Sequence, residues 1–156
     1  VCGARPTSTY LVPGHARVTA PTQRVYNIIA DYRLGHPRIL PNPFRNLTVE
    51  RGGIGAGTAI RFEVTVLGRT QTFRAEVTEP EPGRVLVERN LKPNDSVTTF
   101  TVDPDAGGQS ARVTMTTELQ SRSGLLGVVE RFMTTRVLQS LYKEELGLLD
   151  AAARQP

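Results

Sequence analysis

Two hydrophobic periods divide the chain: a period of two through its middle and a spacing of three and four at its end. Residues 124–154 contain no proline, and Leu125, Val128, Phe132, Thr135, Leu138, Tyr142, Leu146, Leu149 and Ala153 recur at steps of three and four. That spacing predicts one apolar stripe along a long helix. Arg131, Arg136, Lys143, Glu144 and Asp150 lie off the stripe. A second row, Val137, Leu141 and Leu148, points away from the first and predicts a contact with an N-terminal helix or a second chain. A helix this amphipathic needs an apolar surface to cover.

The surface is predicted over 46–120, as six strands. Leu47 and Val49 open the first. The next, 58–67, places Ile60, Phe62, Val64 and Val66 on one face, and 70–79 repeats the pattern with Phe73, Ala75 and Val77. Strand 96–103 faces Phe100 and Val102 inward, and 111–120 does so with Val113, Met115, Thr117 and Leu119. Strand 84–91 has no settled facing, because Val85 and Val87 compete with Leu86. A slip of one residue there exchanges Glu88 for Arg89 on the inner face. Turns are predicted at 51–57 (RGGIGAG), at Gly68-Arg69, at 80–83 (PEPG), at 92–95 and at 104–108 (PDAGG). Upstream lies a strand over 8–20, where Pro13 and Gly14 mark a bulge or an edge. A helix opens at Pro21, with Val25, Ile28, Ile29 and Tyr32 as its apolar face. Residues 33–45 hold Pro37, Pro41 and Pro43 and form a loop with one short helical turn. Residues 1–7 carry no pattern and are expected to fray. The predicted fold is α+β: a seven-stranded, curved antiparallel sheet wrapped round a long C-terminal helix, in a single domain.

The 156 residues are enough for one domain with a substantial core. The net charge of +4 comes from the first fifty residues, where six arginines face Asp31 and Glu50. These arginines are spread out, so no nucleic-acid surface is expected. No apolar run approaches the roughly 20 residues of an integral membrane segment. Cys2 is the only cysteine, which excludes an internal disulfide. His15, His36 and Cys2 are scattered, so neither a metal nor a cofactor is expected. A cytoplasmic location is expected.

The glycines at 51–57 lack a following Gly-Lys-Ser/Thr and precede a strand, so they read as a hairpin and not as a phosphate cradle. No serine sits in an elbow motif beside a histidine, which argues against a hydrolase triad. Arg61, Glu63, Arg74, Glu76, Arg112 and Glu118 alternate with the inward residues and read as a solvated face. What is left for chemistry lies inside. Phe44, Phe62, Val64, Phe73, Ala75, Phe100, Met115 and Phe132 supply an apolar wall. The polar groups able to reach it are Tyr32 and His36 at the mouth, Glu88 or Arg89, and Thr117, Thr135, Gln139 and Tyr142. An apolar wall with a few convergent polar groups is the usual composition of a small-molecule site.

The order of these elements is carried by VTAPTQRVYNIIADY (18–32), by the prolyl loop with His36, Pro37 and Pro41, and by GIGAGT (53–58). VTEPEPGRVLVER (77–89) and LYKEELGLLDAAA (141–153) complete it. Together they resemble the START-like superfamily, also called SRPBCC, of helix-grip fold, in its bacterial polyketide cyclase/dehydrase-like branch. Tyr26 stands where members often carry Trp. The resemblance implies a cavity between the long helix and the sheet, open to lipids, polyketides or other apolar molecules. Binding or transport of such a molecule is the first expectation. A polyketide cyclase, aromatase or dehydratase is the alternative, with His36, Tyr142 and Glu88 or Arg89 orienting and protonating the substrate. An accessory role in quinone metabolism is a third. A homodimer is a further expectation, from the second helix row.

Overall fold

The computed structural model describes residues 8–92 and 95–155. The terminal stretch 1–7, Cys2 with it, and the Pro93-Asn94 part of the turn at 92–95 lie outside the described residues. The chain runs β1 (Ser8–Val18), α1 (Thr22–Ala30), a short 3-10 turn (His36–Arg38), β2 (Phe44–Arg51), β3 (Ala59–Val66), β4 (Arg69–Glu81), β5 (Val85–Lys92), β6 (Val97–Asp105), β7 (Ser110–Ser121) and α2 (Leu125–Arg154). The seven strands form one antiparallel sheet in the order β1-β7-β6-β5-β4-β3-β2. With the long α2 against it, this is the helix-grip arrangement.

Each strand follows from its alternation. Residues directly opposite in an antiparallel pair share a face. Ile60 pairs with Ala75, and Phe62 with Phe73. Val77 lies opposite Glu88, Glu88 opposite Thr98, and Thr98 opposite Thr117. Leu86, Phe100 and Met115 run in line across three strands. The register therefore resolves β5: Leu86, Glu88 and Asn90 face α2, and Arg89 faces out. On the outer face Arg61 stands opposite Arg74, and Glu50 of β2 lies within ion-pair distance of both. Val66 pairs with Arg69, so the β3–β4 turn is Leu67-Gly68, one residue earlier than expected.

β1 is an edge strand, and its register with β7 runs unbroken through Pro13 and Gly14, so no bulge forms there. Gly14 serves a different purpose. A Cβ at Gly14 would sit 2.8 Å from Cδ2 of Tyr142, so the missing side chain is what lets α2 approach the sheet at that point. Pro21 caps α1 from an extended conformation, and the helix proper begins at Thr22.

The packed core lies between the second half of α2, α1, and strands β1, β6 and β7. Val12, Val18, Val25, Ile29, Val102, Val113 and Leu149 are all but inaccessible there. Each such side chain contributes about 1.5–3 kcal/mol relative to exposure.

The first half of α2 departs from the expected stripe. Leu125, Val128 and Phe132 point to solvent, Leu125 being 81% and Phe132 61% exposed. Leu126, Val129 and Met133 are exposed beside them. Residues 125, 126, 128, 129, 132 and 133 form a helical stripe of their own, and it faces outward. The inward positions are Gly127, Thr134, Leu138, Leu141, Tyr142 and Glu145. The apolar side of α2 thus changes faces near its middle. Leu141, assigned by spacing to a row pointing away from the sheet, is buried.

Candidate functional site

A cavity of about 230 Å³ lies between α2 and the sheet, lined by residues of β2 to β7. Its apolar wall includes Phe44, Leu47, Ile60, Phe62, Val64 and Phe73. Phe62 stacks on Phe73 with ring centroids 5.4 Å apart, and Phe44 tilts against Phe62 at 5.7 Å. Phe100 and Met115 floor the cavity, and Leu138 and Leu141 roof it from α2.

The polar end is assembled by the turn after α1. Asp31 Oδ1 accepts from the backbone N–H groups of Arg33 and Leu34, and its carbonyl accepts from those of Gly35 and His36. The glycine-rich segment before β3 fastens this turn to the sheet. Tyr32 N–H donates to the Gly53 carbonyl and Gly55 N–H to that of Ala30, both at 2.9 Å. Glu79 of β4 ties the same segment down, accepting from Ala56 N–H at 2.8 Å and from the Tyr26 hydroxyl at 2.6 Å. Burial, with Glu79 next to it, pushes the Tyr26 phenol well up from its ordinary value.

His36 is thereby buried and oriented. Its Nδ1 lies 2.8 Å from the Ile29 carbonyl, which can only accept, so Nδ1 carries a proton. The ring stacks on Tyr32 with centroids 4.4 Å apart and meets the edge of Phe100. Nε2 is left facing Glu88 Oε1 at 3.7 Å, beyond direct hydrogen-bond length. The Tyr32 hydroxyl donates to that same Oε1. Burial first, and then the Glu88 carboxylate, push the Tyr32 phenol far up, so it stays a donor. On the other wall the Tyr142 hydroxyl donates to Thr117 Oγ1, and Thr117 is hydrogen-bonded to Thr98 at 2.9 Å. Burial raises the Tyr142 phenol to about 12.

Glu145, one turn beyond Leu141 on α2, completes the polar end. It is 6% exposed and lines the cavity. Burial, and secondarily the charge of Glu88, hold its carboxyl well above the ordinary carboxylate range. A histidine and two glutamates thus reach a mainly apolar space, which gives it groups able to donate, accept or carry a proton.

Most of the expected residues meet here: His36, Phe44, Phe62, Val64, Phe73, Glu88, Phe100, Met115, Thr117 and Tyr142 all line the cavity. Five do not. Tyr32 stands behind His36 and Glu88 and acts through them. Ala75 is 1% exposed, buried beneath the wall between Ile60 and Asn90. Phe132 points to solvent, and Thr134 takes the lining position expected of Thr135. Gln139 lies on the exposed side of α2, over Pro13 to Arg17 of β1. Sequence reasoning missed Leu40, Leu47, Asn90, Thr98, Leu138 and Leu141 as lining residues, and it missed Glu145 altogether. Glu145 adds a second carboxyl to Glu88, the inward-facing alternative of β5. Among the described residues no cluster of His, Cys, Asp and Glu could hold a metal ion, and no helix is long and apolar enough to cross a membrane.

Residues 12–154 match the family described as polyketide cyclase/dehydrase and lipid transport. A comparison with curated protein sequences finds no match. Among solved structures, that of KanY protein superposes with a TM-score of 0.82 at 22% identity, covering 95% of this chain and 99% of its own. A START superfamily protein from Mycobacterium smegmatis gives a TM-score of 0.73 at 14% identity, over 93% and 97% of the two chains. The Zhui aromatase/cyclase from Streptomyces sp. R1128 gives 0.68 at 18% identity, over 94% and 92%. At these identities the likeness is one of fold.

Proposed function

The chain belongs to the polyketide cyclase/dehydrase and lipid transport family, and we propose that it binds or carries a hydrophobic small molecule in the cavity between α2 and the sheet, as one START-like domain. The observation that carries this reading is the cavity itself. Phe62, Phe73 and their neighbours leave space where a core would close. Interiors normally pack to the density of organic crystals, and an apolar wall facing empty or watery space forfeits those contacts. A lipid or polyketide restores them.

Filling the cavity tests this. Leu138→Trp extends a ring from α2 into the space. Affinity for the neutral dye Nile red should fall about tenfold or more, since the volume is no longer free, while the melting temperature holds or rises. A variant that melts lower, beside a wild type that binds no dye, would show the wall to be packing alone.

A second reading, polyketide cyclase or dehydratase, is favoured by the convergence of His36, Glu88 and Tyr142 on the same space. Turnover of a poly-β-keto substrate, abolished in His36→Ala, is the result that would select it.

The outward stripe of α2 supports a homodimer. A continuous apolar face along a helix is self-complementary about a two-fold axis, and exposed it makes an unusual patch. Sedimentation should give twice the monomer mass, and Val129→Asp should return the protein to monomer. A wild type that stays monomeric at all concentrations ends that proposal. The spread of arginines supports no nucleic-acid partner, and a single cysteine fits work in the cytoplasm.

A further inference from the structure

We propose that the ligand of this cavity is a hydrophobic amine, its ammonium seated between Glu88 and Glu145 and its apolar body against the Phe44, Phe62 and Phe73 wall. The proposal rests on the reading of the cavity as the ligand site and adds to it the chemistry of the head group.

The charges that reach the cavity have one sign. The chain holds nineteen basic residues, yet none of the arginines or lysines is among the residues lining the space. The one basic group there, His36, already faces Glu88. A fatty acid or an acidic polyketide would find no arginine or lysine to pair with its carboxylate, and the Glu88 carboxylate to repel it.

Glu145 is the second, independent observation. It stands on the inward side of α2 in the company of Leu141, Tyr142 and Leu149. It is only 6% exposed, and among the described residues no group donates to its carboxyl, whose oxygens are not sealed in the core but open on the cavity it lines. A carboxyl in such a place is costly when it does nothing but pack, and a glutamate serving only structure would be paired. Glu88 is already satisfied by the Tyr32 hydroxyl, and the stacked His36 and Tyr32 rings hold it in place. The site therefore offers one fixed carboxylate and one carboxyl awaiting a partner, both opening on apolar walls. An ammonium group supplies three donors and a positive charge, and charge-assisted hydrogen bonds in a dry site are the strong ones. The net charge of the protein as a whole is positive, so a preference for a cation cannot come from its overall field.

Three ligands of one size test this: decylamine, 1-decanol and decanoate, each competing against Nile red at neutral pH. Decylamine should bind on the order of ten to a hundred times more tightly than decanol, with decanoate weakest. Glu145→Gln and Glu88→Gln should each shrink the ratio of amine to alcohol affinity toward one. Leu138→Trp should weaken all three. If Nile red and decanol bind but decylamine binds no better, the amine proposal falls and the cavity reading stands. If no decyl compound displaces dye, or no dye binds, the cavity reading falls and takes the amine with it. Decylamine binding that survives Leu138→Trp would place the amine elsewhere on the surface and also overturn the proposal.

Discussion

Replacing Glu145 with glutamine should make the protein more stable than wild type at alkaline pH and leave it nearly unchanged in acid. The sign follows from where the proton sits. In the unfolded chain the carboxyl titrates near its ordinary 4.5. In the folded chain burial, and then the neighbouring charge of Glu88, hold its pKa well above that. Between the two values the folded protein keeps a proton that the unfolded chain gives up. Stability then falls as pH rises, by about 1.4 kcal/mol per pH unit for a single group. Below the unfolded value the loss is absent, and above the folded value it is complete. Glutamine has the same shape and no titration, so the slope should vanish from the variant. Other groups near Glu145, including Glu88, His36, Tyr32 and Tyr142, are common to both proteins, and their titrations largely cancel in the difference. From about pH 5 upward the variant should gain steadily on wild type until the folded protein also gives up the proton. In a protein of this size the gain is a Tm difference of roughly 2–4 °C per kcal/mol. Parallel stability curves for the two proteins across that range would show that Glu145 is ionised and solvated in the fold.

Glu145 is also the residue that best shows where sequence reading stops. The strands of the sheet were legible because each buries one face, and a period of two marks that face whatever the partner strand is. Ile60 with Ala75 and Phe62 with Phe73 fall opposite one another as the alternation requires. Strand β5 was not legible, since Val85, Leu86 and Val87 are apolar on both sides. Only its pairing with β4 and β6 fixes Glu88 inward. On α2 the spacing rule equates apolar with buried. It succeeds from Leu138 onward, where Tyr142, Leu146, Leu149 and Ala153 cover the core. Before that point the apolar residues face out and the inner positions are small or polar, Gly127 and Thr134 among them. A rule keyed to hydrophobicity assigns such a segment to the wrong face. The same rule leaves a buried glutamate on the surface. A signal for it was present: Glu145 follows Leu141 by four and Tyr142 by three, on the row that ends in Leu149 and Ala152. Position on the wheel, read without regard to polarity, would have found it. The turn that holds His36 was foreseen as a short helical turn in a prolyl loop, but its contacts were not, because they run to backbone carbonyls that no side-chain pattern reveals.

That turn is where a single methyl group should do most harm. Gly35 has ordinary helical backbone angles, φ −81° and ψ −59°, so alanine suits its conformation. The obstacle is space. A Cβ at Gly35 would lie 2.5 Å from the carbonyl oxygen of Ile28, 2.9 Å from its Cα and 3.1 Å from its carbonyl carbon. All three are backbone atoms in the last turn of α1, which cannot rotate aside as a side-chain tip can. The turn must shift instead, and the next residue is His36, held by its N–H to the Asp31 carbonyl at 2.7 Å and by Nδ1 to that of Ile29. Gly35→Ala should therefore cost on the order of 1–3 kcal/mol, as overpacking does. It should also weaken ligand binding through a displaced His36. Gly147 provides the opposite case. It lies exposed inside α2, where a Cβ would meet nothing within 4 Å and no positive φ opposes it. Gly147→Ala should raise stability by about 0.5–1 kcal/mol, because alanine gives up less backbone freedom on entering a helix. Urea denaturation of the two variants beside wild type reads both effects. A Gly35→Ala protein as stable as wild type, with dye binding intact, would mean that the turn and α1 can separate at no cost, and that His36 is not held by the contact between them.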